Sequence, residues 1–191
     1  RMKLSLTVTG QPGPLPPVLV AHGLFGQARN LGVISRALSE TRQVLAVDMR
    51  NHGDSFHDAV HDYVTMAGDL ADVIADLGGQ ADVVGHFRHD DDDAVALDYI
   101  ARAKADFAQV RGLWQAEGRL SLDHSRGLMM QVGAGSVRFV PRIAHNMGVA
   151  LTIFLRPDEG KTALHFNHTK LPLWMPRVAV TRPLMFLRGI H

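Results

Sequence analysis

The chain has 191 residues, of which 46% are hydrophobic and 20% charged, a composition typical of folded globular proteins. A formal net charge of +1 gives no long-range electrostatic reason to expect a nucleic acid or a membrane as partner. The absence of cysteine excludes disulfides and thiolate chemistry. Since we see neither a membrane-spanning apolar run nor a signal peptide, we expect a cytoplasmic protein.

The first half of the chain predicts alternating strands and helices. The first strand, in residues 4–10, alternates apolar and polar side chains as an edge strand does. Three continuous apolar runs are typical of strands buried on both faces, and two segments with helical spacing lie between them. The runs are VLVAHG, RQVLAVD and ADVVGH; the helical segments are NLGVISRALSE and YVTMAGDLADVIADLGG. This order predicts a parallel α/β sheet with helices on both faces.

The second half is less regular. AVALDYIARAKADF predicts a helix, SRGLMMQ a second helical stretch, and RPLMFLRG, near the end, another buried strand. The run Asp90–Asp93 lies between the two halves and is the only low-complexity segment. Eleven histidines are many for this length, so a metal site has to be considered.

Residues 15–86 resemble bacterial serine esterases of the α/β-hydrolase superfamily, in the small carboxylesterase and thioesterase branch. The resemblance rests on the HGLFG loop at residues 22–26, the RNHG turn at 50–53 and the strand that ends in Gly85-His86. It implies an α/β-hydrolase fold with a mostly parallel sheet and an inserted helical cap, C-terminally incomplete. The implied divisions are a core at residues 1–111, a cap-like insertion at 112–176 and a returning core strand at 177–191.

The resemblance also implies a set of site residues. His22, Gly23 and Leu24 would shape an oxyanion hole with the Leu24 amide as donor, and Phe25 would line the pocket. His86 and Arg88 would flank the nucleophile elbow.

The nucleophile position itself is occupied by Phe87, which cannot attack an acyl carbon. Asp106, in a segment similar to the family's acid-bearing one, is the candidate triad acid. The family's general-base histidine would lie beyond His191.

The resemblance thus implies hydrolysis of carboxylic ester or thioester bonds of small acyl substrates by a serine-hydrolase mechanism, without a cofactor and without nucleic acid. One alternative is a non-catalytic small-ligand-binding protein, with Phe87 filling the acyl pocket. Another is a metal-dependent hydrolase that uses His86, His89 and Asp90. Against the latter, four adjacent aspartates would point in different directions around a helix, so we predict a solvated acidic helix N-terminus and no metal. Ser125 is expected at a helix N-cap and not as a nucleophile.

Overall fold

A computed structural model describes residues 2–77, 81–90 and 92–190. The chain divides into two compact units, Arg1–Asp76 and Leu77–His191. Both contain strands that form sheets, with helices packed beside them, so the predicted α/β class is confirmed. Within the described ranges, the length and the hydropathy that a bilayer-crossing helix needs are not found together in any helix.

The first unit contains the strands β1 (Ser5–Thr9), β2 (Val18–Ala21) and β3 (Val44–Asp48). They form a sheet of order β1-β3-β2, in which β1 runs antiparallel and β2 parallel to β3. All five residues of the central strand β3 are buried, in keeping with its continuous apolar sequence. The helices α1 (Gly32–Ser39) and α2 (Tyr63–Leu77) follow β2 and β3. The five elements predicted for this region are confirmed.

The described part of the second unit has one long helix, α3 (Tyr99–Glu117), and eight strands. Four strands form a sheet of order β10-β6-β9-β4, and the other four a sheet of order β5-β11-β7-β8. The strands are β4 (Val84–Phe87), β5 (Asp93–Val95), β6 (Leu120–His124), β7 (Arg126–Gly133), β8 (Ser136–Ile143), β9 (Leu151–Leu155), β10 (Arg177–Val180) and β11 (Phe186–Ile190). The buried strand predicted near the end of the chain corresponds to β11.

Helix α3 packs on the first of these sheets through an apolar stripe. Phe107 stacks on Phe154 of β9 with the ring centroids 4.2 Å apart, and Leu120 and Leu122 of β6 complete the cluster. Spacings of four and seven positions place the buried residues of the helix on one face. These residues are Tyr99, Ala103, Phe107 and Trp114.

Strand β4 differs from its prediction in its partner and in its burial, since Gly85 and Phe87 are exposed. The sequence predicts that it extends the parallel sheet of β2 and β3, whereas β4 pairs antiparallel with β9, from Val84 opposite Leu155 to Phe87 opposite Thr152. A continuous apolar run indicates burial on both faces but carries no information about which strand lies beside it. β9 reads LTIFL and is itself buried at all five positions, so it offers β4 an equally apolar neighbour.

The segment at residues 112–176, expected to be a cap-like insertion, contains the end of α3, the strands β6 to β9 and short 3-10 turns. α3 runs across the boundary expected at residue 111. The prediction of a helix in SRGLMMQ is wrong, because residues 126–131 of this segment belong to β7, which pairs with β8 and, from Gly127 to Gln131, with β11. Tertiary strand pairing here overrides the helical propensity of leucine and methionine.

Gly127 of β7 gives a direct test of this packing. It stands opposite Phe186 of β11, and a Cβ atom at Gly127 would overlap the Phe186 ring. We therefore expect Gly127→Ala to lower the free energy of unfolding by about 1–3 kcal/mol, through forced displacement of a buried ring. The measurement is the midpoint and slope of urea unfolding.

The matched control is Gly112→Ala in α3, where a Cβ atom meets nothing within 4 Å. Alanine is the better helix former, so this variant should gain about 0.5–1 kcal/mol. Equal effects of the two substitutions would contradict the close approach at Gly127.

Candidate functional site

The predicted oxyanion loop is a braced turn in the first unit. The Gly26 amide donates to the Gly23 carbonyl at 3.0 Å. Below the turn, His22 is 8% exposed, and its Nε2 accepts from the Met49 amide at 3.0 Å. A Cβ atom on Gly26 would lie 2.9 Å from the His22 side chain, so the sequence needs glycine there. Leu24, whose amide is the predicted donor, is exposed.

The RNHG turn supports this loop from the same unit. His52 Nε2 accepts from the Phe25 amide at 3.2 Å, and the Phe25 side chain itself is 90% exposed. The Asp48 carboxylate accepts from the amides of Ala28 and Asp54, at 2.7 and 3.1 Å. Histidine and aspartate in these motifs thus act here as hydrogen-bonding supports for backbone.

The elbow residues predicted at 86–88 lie at the end of β4, in the second unit. Phe87 is 37% exposed, and its ring meets the Tyr99 ring edge-on at 5.2 Å. Burial lowers the pKa of His86 to about 4, so this imidazole is neutral at neutral pH. Arg88 is exposed. In this arrangement Phe87 provides a surface for packing and no group for nucleophilic attack.

Asp106, the predicted triad acid, contacts a histidine that the sequence did not indicate. It lies in the middle of α3, and His124 Nε2 hydrogen-bonds its Oδ2 at 2.9 Å. His124 is fully buried in β6, where the Tyr99 ring meets it edge-on at 5.5 Å. Tyr99 in turn shares a 2.6 Å hydrogen bond with Thr152. The pair is therefore part of an interior polar network.

A second polar cluster follows β6. Asp123 is 1% exposed and accepts from the Asn146 amide at 3.0 Å and from Arg177 Nη1 at 3.1 Å. The His145 Nδ1 lies 3.5 Å from the same carboxylate oxygen. Ser125, expected at a helix N-cap, instead lies buried between β6 and β7. The sequence signal for this polar cluster was Asp-His-Ser at the end of an apolar run. Polar groups buried there require hydrogen-bond partners.

The aspartate run forms the most concentrated group of charges. Carboxylate oxygens of Asp90, Asp92 and Asp93 lie within 4.8 Å of one another. We call these three residues the carboxylate cluster; Asp91 lies outside the described residues. The Asp93 amide donates to the Asp90 carbonyl at 3.2 Å, and the Gly189 amide of β11 donates to the Asp92 carbonyl at 2.9 Å.

The prediction that a helix begins at this acidic run is therefore wrong. A turn and then β5 carry these residues, because β5 pairs with β11 from Asp93 opposite Arg188 to Val95 opposite Phe186. On a helix, neighbouring carboxylates would diverge, whereas the turn brings three of them together. His89, a ligand in the alternative metal site, directs Nδ1 to the Asp90 carbonyl at 3.0 Å. Of the proposed set His86, His89 and Asp90, only Asp90 belongs to the carboxylate cluster.

Asp93 is the buried member of the cluster. Its side chain is 2% exposed, and Arg188 Nε lies 3.8 Å from its Oδ1. Among the described residues, this oxygen finds no hydrogen-bond donor. Burial raises the pKa of Asp93, while the Arg188 charge opposes that rise. Three oxygen ligands with one unsatisfied oxygen suit a hard divalent cation such as Mg²⁺ or Mn²⁺.

Comparison with known proteins gives a family for residues 41–191, which include the whole second unit and part of the first. The family model described as "Putative rhamnosyl transferase" matches residues 41–191. The chain belongs to this family. The residues that the family model matches include the carboxylate cluster, Asp106 and Phe87. The His22–Gly26 loop lies before the matched range.

A second set of relatives matches a shorter part of the chain. A "Putative esterase/lipase" of Haemophilus influenzae is 46% identical over 72 residues, which are 37% of this chain and 25% of that protein. "Esterase YbfF" of Escherichia coli is 45% identical over 71 residues, 37% of this chain and 28% of that protein. A solved structure, "Marine microorganism esterase", is 33% identical with a TM-score of 0.38, over 41% of this chain and 29% of that one.

These relatives confirm the predicted similarity to esterases of the α/β-hydrolase superfamily, for the part of the chain that they cover. The chain spans about a quarter of the length of these curated relatives.

The raised pKa of Asp93 leads to a prediction about stability. The folded chain holds a proton on Asp93 to a higher pH than the unfolded chain, so the contribution of this group to stability falls as pH rises through the folded pKa. Asp93→Asn removes the buried charge and keeps the side-chain shape. We expect this variant to unfold at a higher urea concentration than the parent at neutral pH, and the difference to shrink in acid.

The same substitution at the exposed neighbour, Asp90→Asn, serves as the control, because a hydrated carboxylate loses little on folding. A variant Asp93→Asn that is less stable than the parent at neutral pH would contradict the interpretation.

Proposed function

We propose that this chain is a metal-dependent glycosyltransferase that moves a rhamnosyl group from a nucleoside-diphosphate donor to an acceptor hydroxyl. The observation that carries the proposal is the carboxylate cluster, in which Asp93 is buried and three carboxylates converge. Like charges repel at this distance, most strongly at the buried Asp93, and a divalent cation would offset that repulsion. Membership of the rhamnosyl transferase family supports rhamnose as the transferred sugar.

In this proposal Asp90, Asp92 and Asp93 would hold the cation. Arg188, on the neighbouring strand β11, would position the Asp93 carboxylate. A bound divalent cation supplies charge stabilisation to the departing diphosphate. In the transfer, the bond between the anomeric carbon and the diphosphate oxygen breaks. A bond from the anomeric carbon to the acceptor oxygen forms, the diphosphate leaves with the electron pair, and the proton of the acceptor hydroxyl passes to solvent water. The backbone link from the Gly189 amide to the Asp92 carbonyl holds the turn in place while ligands bind.

Removal of one carboxylate tests the proposal. We expect the parent protein to bind Mn²⁺ in isothermal titration calorimetry, and Asp92→Asn to bind it at least about tenfold more weakly. Transfer of rhamnose from a nucleoside-diphosphate rhamnose, measured by the release of nucleoside diphosphate, should require the cation. Its rate should be lower in Asp92→Asn than in the parent. The reason is that a neutral amide is a poorer ligand for a hard cation than a carboxylate.

Asp98→Asn is the matched control, since Asp98 is an exposed carboxylate of the same unit, paired with Arg102 at 3.1 Å on the surface. It should leave Mn²⁺ affinity and transfer unchanged. If the parent bound no Mn²⁺, or if both variants lost affinity equally, the cluster would not be the cation site.

Ester hydrolysis is a second candidate, favoured by the similarity to esterases at 46% identity over 72 residues. In that role the substrate would be a small carboxylic ester or thioester, and a serine would be needed at position 87. The sequence as it stands has Phe87 there, so hydrolysis by the serine route is proposed for a form that carries the hydroxyl.

The substitution Phe87→Ser tests this second candidate with p-nitrophenyl acetate as substrate. We expect Phe87→Ser to release p-nitrophenol faster than Phe87→Ala, which opens the same space without providing a hydroxyl nucleophile. Equal rates in the two variants, with unchanged circular dichroism, would count against a serine-hydrolase site. The outcome is independent of Mn²⁺ and therefore separates the two proposed activities.

A further inference from the structure

The carboxylate cluster follows a strand end at the same edge of a sheet as a buried aspartate that has no role in the proposed activities. β4 and β6 both run antiparallel to β9, which lies between them, so they run parallel to each other. Phe87 of β4 and Leu122 of β6 both stand opposite Thr152 of β9, which places them about 10 Å apart, two strand spacings. Asp90 follows Phe87 by three residues, and Asp123 follows Leu122 directly.

A single loop contacts both groups. We call residues 145–150, which lead into β9, the 145–150 loop. Arg188, the arginine beside the carboxylate cluster, donates from Nη1 to the Met147 carbonyl at 3.0 Å. One residue earlier in the loop, the Asn146 amide donates to the Asp123 carboxylate at 3.0 Å. The loop therefore lies between the buried aspartate and the carboxylate cluster.

The backbone of the 145–150 loop is strained. Asn146, Gly148 and Ala150 have φ angles of 57°, 86° and 51°, a region that side chains other than that of glycine rarely adopt. Arg177 Nη1 donates to the Asn146 side-chain oxygen at 3.1 Å and so holds the first of these residues. Backbone strain of this kind persists only where surrounding contacts enforce it, and it is concentrated at functional sites.

His145 is the side chain that this loop places beside Asp123. Its Nδ1 lies 3.5 Å from Asp123 Oδ2, and 45% of the side chain is exposed. A carboxylate beside Nδ1 favours the tautomer that carries the proton there, which leaves a lone pair on Nε2. Asp123 already accepts from the Asn146 amide and from Arg177, so it does not need the histidine as a hydrogen-bond donor. The contact therefore serves to orient His145.

We propose that His145 is the base that takes the proton of the acceptor hydroxyl in the rhamnosyl transfer, with Asp123 as its positioning residue. This role rests on the proposed function. Nε2 binds the proton as the O–H bond breaks, and the electron pair of the oxygen forms the bond to the anomeric carbon. The diphosphate leaves with the electron pair of its own bond. The Asp123 charge stabilises the imidazolium, which then passes the proton to solvent water.

His89 is closer to the carboxylate cluster but is less suited to this role. Its Nδ1 is directed to the carbonyl of Asp90, a member of the cluster. A divalent cation held there would repel the positive charge that a base acquires. The Asp123 carboxylate beside His145 favours such a charge, although Arg177 offsets part of this attraction. The electrostatic setting therefore favours His145.

Steady-state kinetics of two substitutions at His145 test the proposal. Release of nucleoside diphosphate is measured at saturating Mn²⁺ from dTDP-, UDP- or GDP-rhamnose, with methyl rhamnoside or water as the acceptor. We expect His145→Ala and His145→Gln to lower kcat by about 100-fold or more, because a general base contributes roughly 10²–10⁴-fold. The KM for the donor and the affinity for Mn²⁺ should stay at the parent values. Added imidazole should restore part of the rate to His145→Ala, where it can occupy the space of the ring.

Glutamine separates the catalytic role from a structural one. His145→Gln keeps a hydrogen-bond donor for Asp123 but offers no basic nitrogen, so a purely structural histidine would be replaced by it without loss. His57→Ala is the matched control, since His57 is an exposed histidine of the first unit, and it should keep the parent kcat. Circular dichroism and urea unfolding of each variant exclude loss of the fold as the cause.

Two results would overturn the role of His145 while the proposed function stands. One is an active parent whose kcat is unchanged in His145→Ala. The other is a low kcat in His145→Ala that His145→Gln restores, which would make the histidine a structural partner of Asp123. A parent that binds no Mn²⁺ and releases no nucleoside diphosphate would instead overturn the proposed function, and the role of His145 with it.

Discussion

The second unit depends on the pairing of polar groups that β6 carries into the interior. All five residues of this strand are buried, and three of them, Ser121, Asp123 and His124, are polar. Burying such groups without partners costs several kcal/mol, roughly 2–7 for each uncharged one. The partners come from separate elements: His124 bonds Asp106 of α3, Asp123 accepts from Arg177 of β10, and the Ser121 hydroxyl donates to the Pro176 carbonyl. These bonds orient helix and strand neighbours, while the apolar stripe of α3 and the stack of Phe107 on Phe154 add buried apolar surface beside them.

At the carboxylate cluster the demands of stability oppose those of the proposed cation binding. A buried carboxylate with a raised pKa destabilises the folded chain at neutral pH, and an arginine at 3.8 Å compensates only in part. The same arrangement leaves an oxygen of Asp93 without a donor among the described residues, as a cation site requires. Strain of this kind is common where a ligand supplies the missing interaction. At His124 the protein provides a partner for one ring nitrogen, since Nε2 bonds Asp106, whereas Nδ1 finds no hydrogen-bond partner among the described residues.

The resemblance to esterases and the match to the rhamnosyl transferase family overlap along the chain, because the RNHG turn at residues 50–53 lies inside the family match and only the HGLFG loop precedes it. The first unit shares its HGLFG loop and RNHG turn with the esterase resemblance, and these motifs hold the turn through His22, His52 and Asp48. The family match extends over residues 41–191 and includes the carboxylate cluster. A motif can therefore keep its structural role, the bracing of a turn, whether or not the catalytic residue that accompanies it in relatives is present. Phe87 illustrates the point, since it packs on Tyr99 at the position where the resemblance implies a nucleophile.

The sequence by itself determined the elements whose signal is local. β1 to β3, α1, α2 and β11 follow from apolar runs, alternation and helical spacing, because these patterns report which faces of a segment are buried. It did not indicate the hydrogen bond between Asp106 and His124, because the resemblance gave Asp106 only as a candidate triad acid. Only the tertiary structure decided that β4 pairs with β9, that SRGLMMQ is a strand, and that Asp90, Asp92 and Asp93 converge. Each of these depends on contacts between segments far apart in the chain, and burial patterns within one segment do not specify the partner.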